Sequence, residues 1–316
     1  MDYKKIIKNR DTRTTILRLF DFVPDDIMLR VQYRIKTGRG LNLKKPKRYT
    51  EKIQWYKLYY RDPLMAQCVD KFEVRHYVES CGMKSILNEC YGVYSSVEEI
   101  DFEALPNQFV LKDTLGGGGN SVILVEDKRK TNIAQIKKQL SKWISQPTNK
   151  KNPGREWVYD GMPHRIIAEK YISSNPETGG LIDYKFFCFG GKLACLYVMG
   201  DRRNGLKVGI YDSNFHKLDA YISYDKKMKT EVKKPDNFDK MCEISEKLSA
   251  KFPHARIDLF DQDGVIIFGE ITFFSGSGYT LFDPDEFDFM MGKTFILPEK
   301  KTRCNDGKSF SFDIYL

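Results

Sequence analysis

Apolar side chains recur at helical spacing near the start of the chain. Between residues 14 and 36 they are Leu17, Phe20, Ile27, Val31 and Ile35. A period of about 3.6 residues is typical of a helix, and Pro24 divides the segment, so two short helices are predicted. Thr50 is expected to cap a third helix, and a fourth is predicted from Asp70 to Cys81.

Strand-like alternation begins after residue 107. Runs rich in β-branched and aromatic residues are separated by glycine and polar clusters, as in strands joined by turns. They read QFVLKDTL, SVILVED, RIIAEKYI, YKFFCFGGKLACLYVM, KVGIYDSN and ARIDLFDQDGVIIFGEIT. Further helices are predicted near residues 131–145 and 236–251. A helical first part followed by mixed helices and strands predicts an α+β protein.

Composition narrows the class of protein. Of the 316 residues, 41% are hydrophobic and 13% aromatic, so a large folded core is expected. No run approaches the roughly 20 apolar residues of a membrane-spanning helix. The N-terminus, MDYKKIIKNRDTRTT, lacks the apolar region of a secretory signal. The seven cysteines are scattered without a CxxC pair. This favours reduced thiols and a cytoplasmic location.

The net charge of +9 is unevenly distributed. Residues 1–61 hold 17 Lys/Arg against 6 Asp/Glu, which is +11, so the rest of the chain carries −2. The same segment is rich in aromatic residues: Phe20, Phe22, Tyr33, Tyr49, Trp55, Tyr56, Tyr59 and Tyr60. A basic, aromatic segment favours an anionic partner such as a membrane surface, a glycan or a nucleic acid. The alternative is a helical arm that packs its aromatic side chains onto the body.

The run ARIDLFDQDGVIIFGEIT predicts a hairpin with a polar face. Side chains two apart in a strand share a face, so Arg256 and Asp258 project together, as do Glu270 and Thr272. Two carboxylates and a hydroxyl are oxygen ligands suited to Mg²⁺. The alternative is a surface hairpin with a salt-bridged outer face. In either case DQDG is the connecting turn.

A glycine-rich loop follows another apolar strand. Lys112 ends the run FVLK and is followed by Gly116, Gly117, Gly118, Gly119 and Ser121. Such a loop exposes backbone N–H groups that can enclose phosphate oxygens, and the lysine adds a positive charge. It matches neither the Walker A nor the GxGxxG pattern. A flexible hairpin tip is the alternative.

These motifs, taken in order, resemble the ATP-grasp superfamily. The lysine and glycine loop, then AEKYI at residues 168–172, then RID and GEIT follow a local pattern similar to that of D-alanine–D-alanine ligases. Longer runs resemble the TupA-like ATP-grasp proteins, named for teichuronopeptide synthesis. They are LNLKKPKRYTEKIQWYKLYYRDP, DKFEVRHYV, GREW, DYKFFCFGGK and GEITFFSGSG. The resemblance extends from about Leu41 to Pro298.

The resemblance implies an ATP-grasp fold, in which two α+β subdomains clasp ATP. On this basis we divide the chain into four regions. They are a basic helical arm (1–61), a helical or α+β subdomain (62–106), the small lid subdomain (107–172), and the large subdomain with the metal site (173–316).

The resemblance also implies a set of nucleotide-binding residues. Two lysines would contact the phosphates, the glycine loop would close over them, and backbone groups of Lys170 and Ile172 would bind the adenine edge. The set is Lys71, Lys112, Gly116, Gly117, Gly118, Gly119, Ser121, Glu169, Lys170, Ile172, Glu177 and Lys185.

The metal and substrate sites are assigned in the same way. Asp258 and Glu270 would hold Mg²⁺, with Thr272 where the family usually has asparagine. The residues implied to be catalytic are Arg256, Lys112 and Lys185, with Arg256 stabilising an acyl phosphate and the oxyanion that follows. Candidate substrate-binding residues are Arg155, Arg202, Ser275, Gly276 and Gly278. For the two arginines an ordinary surface role is the alternative.

The implied function is an Mg·ATP-dependent carboxylate–amine ligase of surface-polysaccharide assembly. Its expected partners are an amino acid or other small amine and an anionic glycan or lipid-linked saccharide, without nucleic acid. Peripheral contact with the inner membrane face and a homodimer are further expectations. The alternatives are a glycosyltransferase, with DQD as a DxD-like motif, and an ATP-binding protein without turnover.

Overall fold

The computed structural model describes residues 9–117, 119, 121–173, 180–201, 205–223, 226–228 and 232–301. Five helices precede the main sheets in the described part of the chain. They are α1 (Arg10–Arg18), α2 (Asp25–Thr37), α3 (Tyr49–Tyr59), α4 (Pro63–Val69) and α5 (Val74–Ser80). Helices α1, α2, α3 and α5 confirm the four that were expected, although α5 begins later than predicted, and α4 was not predicted.

The start of α3 differs from the expectation that Thr50 caps it. The helix begins at Tyr49, and the carboxylate of Glu51 accepts the backbone N–H groups of Lys47 (2.8 Å) and Arg48 (3.1 Å). The Thr50 hydroxyl instead donates to Asp288 at 2.8 Å. The hydroxyl that was expected to cap the helix therefore binds a buried carboxylate 238 residues further along the chain.

A four-stranded antiparallel sheet forms the smaller layer. Its strands are β1 (Cys90–Tyr94), β2 (Phe109–Asp113), β3 (Val122–Val125) and β4 (Ile166–Lys170), in the order β1-β4-β2-β3. Helix α6 (Ile133–Ile144) packs Ile136, Leu140 and Trp143 into the same core. The sheet takes β1 from the region that we assigned to residues 62–106.

The larger sheet carries the main core. It contains β5 (Asp183–Phe189), β6 (Lys192–Gly200), β7 (Lys207–Asp212), β9 (Lys226–Lys227), β10 (His254–Gln262) and β11 (Val265–Thr272), in the order β11-β10-β5-β6-β7-β9. A short pair, β8 (Tyr221–Ile222) with β12 (Phe282–Asp283), lies beside it. Helices α7 (Phe238–Ser249) and α8 (Glu286–Thr294) complete this part. The arrangement confirms the α+β expectation.

Helices α2 and α3 of the N-terminal segment pack against the body of the protein. Tyr49, Ile53 and Tyr56 of α3 belong to the core of the larger sheet. The buried face of α2 consists of Met28, Leu29, Gln32 and Tyr33. The apolar side chains whose spacing predicted this helix lie on its opposite side, which faces solvent. Ile27, Val31 and Ile35 are 49%, 49% and 52% exposed.

Among the described residues, no helix combines the length and apolar character needed to cross a membrane.

Candidate active site

A bulge in the β10–β11 hairpin places its carboxylates. Asp258 is paired with Glu270, while the next pair is Leu259 with Phe268, so Gly269 is the extra residue. In a regular strand Phe268 and Glu270 would share a face. The bulge lets Phe268 face the core while Glu270 stays opposite Asp258. Any Cβ at Gly269 would lie 3.0 Å from the Asp258 carbonyl oxygen, so glycine suits this position.

Arg256 lies at the centre of the polar face. Its guanidinium makes a bidentate pair with Asp258, with both N–O distances at 2.7 Å. It also donates to Glu270 at 3.2 Å, to Thr272 at 3.0 Å and to the Ser275 hydroxyl at 2.9 Å. The hairpin thus brings together the four residues predicted from its alternation.

Strand β5 adds a second cation and a further carboxylate. Lys185 is paired in register with Asp258 and donates to its carboxylate. The same ammonium lies 2.7 Å from Asp183 Oδ2. Asp183 was absent from our sequence prediction, although it shares a strand face with Lys185. The alternation argument used for the hairpin would have found it.

Burial and charge act against each other in this cluster. Burial disfavours the ionised form of Asp258, but Arg256 and Lys185 outweigh it and hold the pKa of this carboxyl below its usual value. Burial likewise opposes the charged form of Lys185, yet Asp258 and Asp183 raise its pKa. Asp258 and Lys185 are therefore both charged at neutral pH.

Asp258 and Glu270 differ in access to solvent. The Asp258 side chain is 2% exposed, whereas that of Glu270 is 35% exposed. The Thr272 hydroxyl also lies 3.4 Å from Glu270. Glu270 is thus the carboxylate that faces the open side of the hairpin.

The small sheet supplies the opposite wall. Lys112 at the end of β2 lies 2.6 Å from Glu169 Oε2 on β4. Arg75 of α5 approaches the other oxygen of Glu169 at 3.5 Å. Arg75 was also missed by sequence reasoning. It lies four residues after Lys71 within the run DKFEVRHYV, but nothing local shows that it reaches β4.

The glycine loop is joined to the chain around Lys71. The Lys71 ammonium donates to the carbonyl of Gly116, and its backbone N–H donates to Thr114 at 3.0 Å. A Cβ on Gly116 would collide with Ser121, so the loop closes tightly here. Gly119 has a φ of 73°, which favours glycine. Gly118 lies outside the described residues.

The two walls enclose a crevice. Its lining comes from both sheets and from α5: Lys71, Arg75, Leu87, Asn88, Lys112, Glu169, Phe268 and Gly269. The crevice holds about 10 Å³, room for roughly one water. Leu87 and Asn88 also line a larger cleft of about 510 Å³. The two spaces are therefore adjacent.

The larger cleft is lined by the last residue of β4 and by the residues that follow it. Lys170, Tyr171 and Ile172 line it, together with Ile266 and Ile267 of β11. The expectation that backbone groups of Lys170 are open to a ligand needs correction. Its N–H donates to Glu89 at 2.9 Å, and its carbonyl accepts from the Asn88 amide at 2.8 Å.

A left-handed turn borders the site beyond Arg256. Gly276, Ser277 and Gly278 have φ values of 57°, 54° and 67°. Their neighbour Ser275 holds the Arg256 guanidinium, as described above. The turn is held from behind by Lys57 of α3, which donates to Ser277 O and Oγ and to Gly154 O, each at 2.9 Å.

Lys57 was not predicted to be functional. Its side chain is fully buried, and burial lowers its pKa from 10.5 to about 7, with Glu156 acting in the opposite sense. Tyr159 interacts with the same Glu156. Burial raises the pKa of its phenol, and the negative charges of Glu156 and Glu270 add to the effect.

Other predicted residues are placed elsewhere. Arg155 is 5% exposed, and its guanidinium donates to Phe20 O at 2.7 Å and approaches Asp25 at 3.7 Å. It thus secures the N-terminal helices in this arrangement, and the role of substrate clamp stays a prediction. Glu177 and Arg202 lie outside the described residues.

The DQD motif lies in the hairpin turn. Asp263 and Gly264 have φ values of 51° and 85°, which identifies a two-residue turn of the type favoured in hairpins. The Asp261 carboxylate accepts the Gly264 N–H at 3.0 Å. The geometry of the turn therefore explains why these residues occur here, and no role in binding a nucleotide sugar is needed.

Within the described ranges, no group of three or more His, Cys, Asp or Glu side chains is arranged to hold a metal ion. The oxygen donors on the hairpin are Asp258, Glu270 and Thr272, in contact with Arg256.

Comparison with solved structures gives similarities at low identity. D-alanine–D-alanine ligase from Bacillus anthracis is 17% identical (TM-score 0.45), with 72% of this chain and 64% of that chain covered. The enzyme from Helicobacter pylori is 14% identical (TM-score 0.42), with coverage of 74% and 60%. L-amino acid ligase from Bacillus licheniformis is 16% identical (TM-score 0.41), with coverage of 74% and 51%. The chain thus spans between about half and two thirds of these proteins.

Comparison with curated proteins gave no match. The model of one family, described as TupA-like ATPgrasp, matches residues 51–296. This range contains both sheets, the glycine loop and the β10–β11 hairpin. The chain therefore belongs to the TupA-like ATP-grasp family.

Proposed function

We propose that this protein is a ligase that uses Mg·ATP to join a carboxylate to an amine. One observation carries the proposal. Lys112 and Glu169 of the small sheet line the same crevice as Phe268 and Gly269 of β11, and Gly269 adjoins Glu270. Basic side chains and strand β11 of the carboxylate-bearing hairpin thus face a common space, and Lys71 links the glycine loop to it.

The nucleotide would occupy the crevice and the cleft beside it. The cleft of about 510 Å³ is of the size used for small ligands. Ile172 and Ile266 offer apolar contact for the base. Lys112 and Lys71 would exchange their present partners, Glu169 and Gly116 O, for phosphate oxygens. The glycine loop would then follow Lys71 towards the phosphates.

The donor set of the hairpin fits Mg²⁺ through Glu270. Its carboxylate is partly open, and the Thr272 hydroxyl is next to it. Asp258 is bound by Arg256 and Lys185 and would complete the site as a second oxygen ligand. When bound, the ion would neutralise negative charge on the phosphate oxygens.

The proposed reaction has two steps. A carboxylate oxygen of the acceptor attacks the γ-phosphorus, the bond from that phosphorus to the β–γ bridging oxygen breaks, and ADP leaves. The amine nitrogen then attacks the carbonyl carbon of the acyl phosphate. The bond from the carbonyl carbon to the phosphate oxygen breaks, inorganic phosphate leaves with that oxygen, and the nitrogen loses a proton to water. Arg256 and Lys185 would stabilise the charge that develops on oxygen, because preorganised cations act at little reorganisation cost.

The proposed substrates are those of surface-polysaccharide assembly. We infer a hexuronic acid or a peptide-like substituent on a capsular or cell-wall precursor as the carboxylate, and an amino acid as the amine. The name of the family and the basic N-terminal segment support this choice. Ser275 would lie on the acceptor side, since its hydroxyl already contacts Arg256.

The test is release of ADP, measured against AMP, with Mg²⁺ and a panel of amino acids, with and without uronic-acid glycans. Turnover should require both acceptor and amine, and Glu270→Gln should abolish it. Glu243→Gln, an exposed carboxylate on α7, is the matched control and should keep full activity.

Two results would contradict the proposal. Binding of a UDP-sugar in preference to ATP would favour the glycosyltransferase. Tight ATP binding without turnover for any pair, including lipid-linked acceptors, would favour a nucleotide-binding protein.

A further inference from the structure

Helix α2 has two apolar faces. Met28, Leu29 and Tyr33 are buried in the body, at 7%, 0% and 0% exposure. On the other side Ile27, Val31 and Ile35 recur at four-residue intervals and are about half exposed. Side chains four apart form a continuous stripe along a helix. An apolar stripe of this length on a surface helix is typical of a binding site.

The turn between α1 and α2 adds further exposed apolar groups. Phe22 is 82% exposed, Leu19 is 69% exposed and Phe20 is 43% exposed. The turn is not loose. Arg155 donates to the carbonyl of Phe20, and the Lys151 ammonium donates to Asp25 at 2.9 Å. The apolar groups are therefore held at the surface by the body of the protein.

Arginines accompany the stripe. Arg30 and Arg34 are exposed and lie between its members, at the same four-residue interval. Each guanidinium is held against a nearby carbonyl, Leu41 O at 2.9 Å and Gly38 O at 2.8 Å. Residues 1–61 as a whole carry +11. Arg30 and Arg34 thus add positive charge to the apolar surface, and the exposed carboxylate of Asp26 lies at its beginning.

We propose that this surface, formed by Leu19, Phe20, Phe22, Ile27, Arg30, Val31, Arg34 and Ile35, docks on the interface of an anionic lipid bilayer. Apolar side chains enter the headgroup region while basic side chains bind lipid phosphates, which is how amphipathic helices associate with membranes. A symmetric contact between two copies would bring Arg30 and Arg34 close to their own equivalents. A nucleic acid would leave the apolar stripe in water. Of these three partners, only an anionic membrane surface would contact both the apolar stripe and the arginines favourably.

The proposal does not depend on ligase activity, because it is tested by binding alone. The full chain is sedimented with vesicles of phosphatidylcholine containing about 30% phosphatidylglycerol, and with vesicles of phosphatidylcholine only. We expect binding to the anionic vesicles that weakens with salt. Ile27→Gln/Val31→Gln/Ile35→Gln and, separately, Arg30→Gln/Arg34→Gln should each weaken it at least tenfold.

Matched variants separate docking from changes in folding. Leu124→Gln/Val265→Gln removes exposed apolar groups elsewhere and should bind normally. Arg30→Lys/Arg34→Lys keeps the charge and should bind within about threefold of the parent. Phe22→Trp should show a blue-shifted emission with anionic vesicles and quenching by brominated lipid. All variants should keep the parent's urea midpoint.

Three results would overturn the proposal. These are no binding to anionic vesicles, binding that the glutamine variants leave unchanged, and a dimer in sedimentation equilibrium that the triple glutamine variant dissociates. The last would identify the surface as a contact between copies.

Discussion

Asp258 lies opposite Glu270 across the β10–β11 pairing, immediately beside the bulge at Gly269. The two carboxylates share a face but differ in their surroundings. Asp258 is buried and bound to Arg256 and Lys185, while Glu270 is one-third exposed. Their contributions to stability and to ligand binding should therefore separate.

Asp258→Asn should destabilise the fold far more than Glu270→Gln. The first change leaves two buried cations without their main partner, which costs about 3–5 kcal/mol. The second weakens one partly exposed contact, worth at most about 1 kcal/mol. Urea unfolding at pH 7 measures both. Equal losses would mean that Glu270 is also a structural carboxylate.

Lys112→Met should lower the affinity for Mg·ATP by at least about tenfold. A lysine that binds phosphate contributes a charge-assisted hydrogen bond of about 1.5–3 kcal/mol. Titration calorimetry or a fluorescent ATP analogue gives the dissociation constant. Arg129→Gln, an exposed cation on the same subdomain, should leave it unchanged. A loss of affinity in both variants would point to a general effect of charge.

The buried ammonium of Lys57 should make stability depend on pH. Burial lowers its pKa from 10.5 to about 7, so between these values the unfolded chain binds a proton that the folded chain does not. The free energy of unfolding of the parent, relative to Lys57→Met, should therefore rise from pH 7 towards pH 10, by up to about 1.4 kcal/mol per pH unit. As a neutral amine, Lys57 would still donate to two carbonyls and accept from the Ser277 hydroxyl.

Urea unfolding of both proteins at several pH values gives this difference. A difference that stays constant with pH would show that Lys57 remains charged in the folded state.

Gly278→Ala should cost more stability than Gly38→Ala. Both residues have positive φ, 67° and 74°, so alanine is strained at each by about 1 kcal/mol. A Cβ at Gly278 would also lie 2.6 Å from Ile53 Cγ2, whereas Gly38 has open space around it. Overpacking typically adds about 1–3 kcal/mol. Thermal or urea unfolding compares them, and equal losses would exclude the steric cause.

The hairpin shows how far local pattern carries. Alternation predicts one shared face for Arg256, Asp258, Glu270 and Thr272, because successive side chains of a strand point to opposite faces of the sheet. The same rule applied to β5 reaches Asp183 beside Lys185. The chemistry of one face is thus encoded within a few residues, and the sequence is sufficient to predict it.

Helix α2 shows a property that the hydrophobic pattern does not predict, namely which face of a helix is buried. Ile27, Val31 and Ile35 and the set Met28, Leu29 and Tyr33 both follow a helical period. Periodicity predicts the helix, but it does not select the buried face when two faces are apolar. That choice depends on what the rest of the chain presents, here Trp55 and Tyr279.

The sequence by itself determined most of the helices and strands, the polar face of the hairpin and the glycine loop, since each depends on neighbours within a few residues. Only the tertiary structure decided which groups meet across the chain. Arg75 reaches Glu169, Lys57 supports the turn at Ser277, and Arg155 secures the N-terminal helices. These contacts join residues far apart in sequence, and their energies depend on burial that arises only when the subdomains pack together.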